Sequence, residues 1–168
     1  MHFMQKRPRI DLAKTKSEYI ADLLGYVTFL IALLFMLDHW QQLPDQVALH
    51  FNAKGEADRW GGKKQILWLP LLTVVVGYGL HVLEKHPECY NFPRRFNEKN
   101  AADFYLLGRK VVNRVKNLML ILFAMLLVDL VCLAMQMQHP LHPWLWPTLL
   151  LSLVAVVGRG LYLQAKIQ

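Results

Sequence analysis

Four of the seven histidines, His39, His50, His139 and His142, fall in short polar segments of an otherwise apolar chain. Asp38, Asp45, Glu56 and Asp58 lie in the first of those segments. Imidazole with carboxylate is a donor set that suits zinc or copper. No spacing among them matches a dedicated metal motif, and His139-Pro-Leu-His142-Pro reads as a turn. The four histidines are therefore weak metal candidates, and no metal or cofactor is expected. A second set consists of ionisable residues inside long apolar runs: Asp22, Asp129 and Arg159. Charge in such surroundings is a functional hypothesis by default, here an ion or proton relay or a hydrogen bond between helices. Enzyme chemistry has no footing, because the sequence holds no P-loop, HExxH, GxSxG elbow or dinucleotide fingerprint. Cys89 and Cys132 fall at different levels of the chain, which excludes a disulfide scaffold.

The elements that must position these residues are legible from composition. Of 168 residues 55% are hydrophobic, yet the formal net charge is +7. Four apolar stretches, 19–37, 65–83, 117–137 and 144–163, each have the roughly 20 residues that cross a hydrocarbon core of about 30 Å. The expected fold is an all-α membrane protein forming one domain over 1–168. Four transmembrane helices make a bundle, with a small folded extracytoplasmic loop over 38–64 and a cytoplasmic loop over 84–116. The residues after the first stretch offer no cleavage site, so it reads as a retained anchor.

Counting Lys and Arg between the spans gives the orientation. Placing both termini and loop 84–116 on one side gathers 15 of the 19 basic residues there. That side is read as cytoplasmic, in a bacterial inner membrane. Trp40, Trp60, Trp68, Trp144 and Trp146 gather at the opposite boundary, where indole rings favour the headgroup level. The positive charge is accounted for by topology and by anionic lipid, with no nucleic-acid motif beside it.

Depth along the spans orders the intramembrane polar residues. Asp129 lies roughly 18 Å from the inner end of its span and Arg159 roughly 6 Å from the inner end of its own. Arg159 is thus level with Asp22, its expected partner. Thr28, Thr73 and Ser152 are the groups at the depth of Asp129, where structural hydrogen bonding is the expected role. Across 97–116, Phe104, Leu107, Val111, Val115 and Leu118 recur at helical spacing, with Lys99, Asp103, Lys110 and Arg114 opposite and Asn97 as the expected N-cap. This amphipathic run is expected to lie on the membrane surface and feed the third span, or to dock a cytoplasmic protein.

In the outer loop, Val47, Leu49 and Phe51 alternate with Ala48 and His50 as in a short strand. Asn52-Ala-Lys-Gly55 follows as a turn, then Asp58-Arg59-Trp60-Gly61-Gly62, and Lys63-Lys64 are placed to snorkel at the membrane edge. LPDQVALHFNAKGEADRWGGKK with Pro70 in the next span resembles the bacterial membrane family called domain of unknown function 1648. The residues that carry the likeness are Leu43, Pro44, His50, Phe51, Asn52, Gly55, Asp58, Lys63 or Lys64, and Pro70. Tyr90 to Tyr105 is also similar to members of this group. The family occurs as the first part of immunity proteins against a sporulation-delay toxin, so the resemblance implies a non-enzymatic sensory, immunity-like or accessory role. The Gly-Tyr-Arg-Thr-like motif of their second domain has no counterpart in this chain. His50, Asn52, Gly55 and Asp58 are the candidate ligand-binding residues, facing an extracytoplasmic peptide or protein. Transport or ion handling through Asp129 and metal binding on the outer face are the alternatives.

Overall fold

The structure, a computed structural model, describes residues 7–52, 57–137 and 144–168. Helix α1 spans Lys16–His39, strands β1 and β2 span Gln46–Phe51 and Ala57–Gly62, and a 3-10 turn leads into α2, Trp68–Lys85. Helix α3 spans Ala101–Ala134 and α4 spans Leu145–Ala165. Four segments, Lys16–His39, Lys63–Lys85, Ala101–Ala134 and Leu145–Ala165, are long and apolar enough to cross a membrane. Their exposure pattern is inside out relative to a water-soluble protein. Leu23, Leu24, Leu30, Ile31, Leu150, Leu151 and Val154 face outward, while Arg109, Asn113, Lys116 and Asn117 are buried. That arrangement suits a lipid surround, where polar groups retreat inward, and the chain is a multi-pass membrane protein.

Helices α1, α2 and α4 all pack principally against α3, which makes α3 a hub. Small residues set the approach of each spoke. A methyl group on Gly25 of α1 would sit 2.5 Å from Asn117 Oδ1, and one on Gly160 of α4 would sit 2.5 Å from Val111 Cγ2. One on Gly77 of α2 would sit 3.3 Å from Leu120. Close contact at small residues is how helices associate where lipid supplies no hydrophobic drive.

The N-terminal turn of α1 is fixed by Glu18, whose carboxylate accepts from the Thr15 N–H at 2.7 Å. Pro70 and Pro147 sit in the first turns of α2 and α4, where a missing N–H costs little. At 34 residues α3 is about 51 Å long, roughly 20 Å more than a hydrocarbon core requires. The run over 97–116 therefore feeds the third span directly, as one continuous helix from Ala101. Its start is Ala101, after Asn100; Asn97 instead accepts from the N–H of Lys99 at 2.9 Å and organises the turn before the helix.

The projecting part of α3 is covered by its own loop. Phe92 and Phe96 stack at 5.0 Å between centroids and meet Phe104 and Tyr105. The Arg7 guanidinium lies over both stacked rings and donates to the Glu88 carbonyl at 3.0 Å, and Arg95 donates to the Ile167 carbonyl at 3.1 Å. Arg7, Ile167 and the 86–100 loop are thereby gathered on one side of the helices. The hairpin lies on the other.

That hairpin is antiparallel, pairing Gln46 with Gly62, Val47 with Gly61 and Ala48 with Trp60, and it is irregular around His50. Val47 is fully buried, joining Leu43, Ile66, Ala32, Met36, Ala124, Leu127 and Val131 in one apolar core between the hairpin and the outer ends of α1 and α3. Lys63 donates to the Leu43 carbonyl at 3.3 Å and lies over the Trp40 ring. Trp60, Trp68 and Trp144 are exposed at this end, as an interfacial belt requires.

Candidate functional site

The hairpin and the helix ends opposite it each concentrate polar chemistry. On the hairpin, His50 and Asp58 face each other across the two strands, with Nδ1 2.6 Å from the carboxylate oxygen that accepts its proton. Both side chains stay open, at 59% and 44% exposure, because the buried face of β1 is committed to the core through Val47. Arg59 and Trp60 beside them are also exposed. Asn52 is half-buried where the chain leaves β1, and Gly55 lies outside the described residues. Of the four candidate ligand residues the structure thus joins His50 and Asp58.

His39 and His50 each have a contact of their own. His39 Nδ1 lies 2.9 Å from the Phe35 carbonyl one turn back, with its ring 4.3 Å from that of Phe35. His50 is paired with Asp58, and His139 and His142 lie outside the described residues. Among the described residues no group of three His, Cys, Asp or Glu side chains is arranged to hold a metal ion. Cys89 and Cys132 are both free thiols.

At the opposite end, three helices bring six charged side chains together. The Lys116 ammonium, with no exposed surface, donates to Glu84 at 2.6 Å and to Asp22 at 2.9 Å. Lys14 donates to Glu84 at 2.7 Å and also reaches Asp22. Asn113 and Asn117 each donate to Asp22 at 2.8 Å, and Asn113 also to Glu84 at 3.1 Å. One turn further out of the membrane, Arg109 grips Glu18 through Nε at 2.9 Å and Nη2 at 3.2 Å, and Ala13 through its carbonyl at 2.8 Å. Three cations balance three carboxylates, so burial is tolerated because charge and hydrogen bonds are both satisfied.

The depth of this network follows from the helical rise. Asp22 is 17 residues from the outer end of α1, Glu84 is 16 from that of α2 and Lys116 is 18 from that of α3. These counts give about 24–27 Å, which places the cluster near the boundary of a hydrocarbon core of about 30 Å that lies opposite the hairpin. Lys14 stands just before α1. Burial works against its ammonium, but the Asp22 and Glu84 carboxylates outweigh that cost and hold its pKa above the ordinary value. Tyr90, in the loop beneath, donates to the Leu83 carbonyl at 2.8 Å, and burial pushes its hydroxyl pKa up.

The expected Asp22–Arg159 pair is not formed. Asp22 is held by Lys14, Lys116, Asn113 and Asn117, whereas Arg159 is exposed on α4, which packs on α3 away from α1. Equal depth did not mean equal face. Asp129 is buried in the outer half of α3. The Thr73 and Ser152 hydroxyls at its level donate to the Leu69 and Thr148 carbonyls of their own helices, both at 2.8 Å. Sequence reasoning assigned Arg109 and Lys116 to topology and passed over Glu18 and Glu84. The signal was present: Arg109, Asn113, Lys116 and Asn117 recur at helical spacing, opposite the face of Val111 and Val115 that meets α4.

Residues 27–74 match the model of a family described as domain of unknown function, DUF1648. The matched segment runs from the middle of α1 through the hairpin into α2, so the likeness read from LP, HFN and the following Gly and Asp is borne out there. Over 78 residues the chain is 27% identical to an uncharacterized protein of the archaeon Archaeoglobus fulgidus, covering 42% of this chain and 43% of that one. The match therefore spans less than half the length of that relative. No solved structure matches.

Proposed function

We propose that this protein is a non-enzymatic sensor, immunity-like or accessory protein of the cytoplasmic membrane that recognises an extracytoplasmic peptide or protein through its hairpin. The observation that carries this reading is the division of labour between the two faces of β1. Val47 anchors the hairpin in the core, while the His50–Asp58 pair is presented outward on a fixed frame. A hydrogen-bonded His–Asp pair beside an exposed tryptophan offers polar and apolar contacts together, and preorganisation lowers the entropy lost on binding. An ion path through Asp129 is favoured less. About 20 Å of α3 separates it from Lys116, and Leu120, Ala124 and Leu127 line that interval.

Cells producing the wild-type, His50→Ala or Asp58→Asn protein at equal membrane levels would be challenged with the sporulation-delay toxin. In parallel, a photo-crosslinker at position 59 would report bound peptide or protein. Loss of protection or of crosslinks in both variants is expected; wild-type behaviour in both would overturn the hairpin as the recognition site. The orientation, hairpin out and termini in, is tested by impermeant thiol labelling of Arg59→Cys and Lys99→Cys in a Cys89→Ser background. Only Arg59→Cys should react from outside.

A further inference from the structure

Beneath the charge network lies a cavity of about 250 Å³ between the 10–14 segment, the end of α2 and Arg109. Its charged lining comprises Lys14, Lys85 and Arg109 against Asp11 and Glu84, with His81 beside them. Counted with Glu18, which holds Arg109, the lining sums to zero, and most of it is committed: Glu84 is taken by Lys14 and Lys116, and Arg109 by Glu18. Lys85, by contrast, makes no hydrogen bond or ion pair among the described residues, and the buried Nδ1 of His81 has no hydrogen-bond partner. Ile10, Leu12 and Pro87 supply an apolar wall.

We propose that this cavity binds one phosphate-bearing anion, held by Lys85 and His81, whose donors are uncommitted. The size fits a headgroup and not a larger ligand, since it falls below the roughly 300–1,000 Å³ of sites for drug-sized molecules. The depth fits as well, because the cavity adjoins residues near that hydrocarbon boundary, where the phosphates of a leaflet lie. The apolar wall suits the glycerol end of a phospholipid. A soluble phosphate would use the same donors.

The test uses the purified full-length protein in detergent. Retention of phosphatidylglycerol and of phosphatidylcholine is measured by native mass spectrometry, and thermal unfolding is followed with and without inorganic phosphate. The wild type should retain one phosphatidylglycerol in preference to phosphatidylcholine. Lys85→Gln and His81→Gln should each weaken retention about tenfold, the effect of losing one hydrogen bond to a charged group. Phosphatidylglycerol retention without a phosphate response identifies a lipid headgroup. A phosphate response that disappears in Lys85→Gln, without lipid preference, identifies a soluble phosphate. Equal retention of the two lipids with no phosphate response, or wild-type retention in both variants, overturns the site. Lys85 is exposed, so its replacement should leave lipid-free unfolding unchanged and separate ligand loss from misfolding.

Discussion

Replacing Lys116 by methionine tests whether the inner charge network is a cooperative unit. The substitution keeps most of the unbranched stem while removing the ammonium that bridges Glu84 at 2.6 Å and Asp22 at 2.9 Å. Deleting one partner of a buried ion pair costs about 3–5 kcal/mol, because the other charge is left desolvated. Lys14 still reaches both carboxylates from a side chain 22% exposed, so the lower end applies, about 3 kcal/mol. For a chain of this size that is about 6–12 °C in the unfolding midpoint. Thermal unfolding in detergent or lipid discs would read it, with the exposed Arg114→Met as a control expected within about 0.5 kcal/mol. Adding Glu84→Gln removes a charge that Lys116→Met strands, so the double variant should lose less than the two single losses together, by about 1–3 kcal/mol. Strict additivity, or a Lys116→Met midpoint equal to wild type, would refute the network as a coupled unit.

Gly25→Val should destabilise by about 1–3 kcal/mol through overpacking against Asn117, whereas Gly79→Ala, with open space at its Cβ, should not; thermal unfolding of the two compares them directly. Val47→Ala should cost about 2 kcal/mol and loosen the hairpin, seen as faster protease cleavage between β1 and β2 with the helices intact. The contribution of Lys14 is complete below about pH 10.4 and is lost as pH rises through its raised folded value. Unfolding measured from pH 8 to 12 should therefore show an alkaline loss of stability that Lys14→Met removes.

The spans, the boundary tryptophans and the strand at 46–51 were legible because each depends on local composition or period. A 20-residue apolar run must find lipid wherever it sits, and alternation at Val47, Leu49 and Phe51 needs no distant partner to be read. The pairing of His50 with Asp58 was half legible: both were singled out, but β2 was not foreseen, since Ala57–Gly62 carries two glycines and little β-branched signal. The inner network was not read at all. Arg109 and Lys116 look like any other loop cations until α1 and α2 are docked on the same face of α3.

By itself the sequence determined that the chain crosses a membrane four times and that the loop after the first span has strand character. Those properties follow from transfer free energies and backbone periods, which act over a few residues at a time. Only the tertiary structure decided that α3 is the hub, that Asp22 pairs with Lys14 and Lys116 instead of Arg159, and that a cavity lies beneath them. A residue's depth is set along its own helix, but its partner is set by the rotation of that helix against its neighbours. That rotation depends on Gly25, Gly77 and Gly160 meeting the surface of α3, a condition met only once the helices are packed.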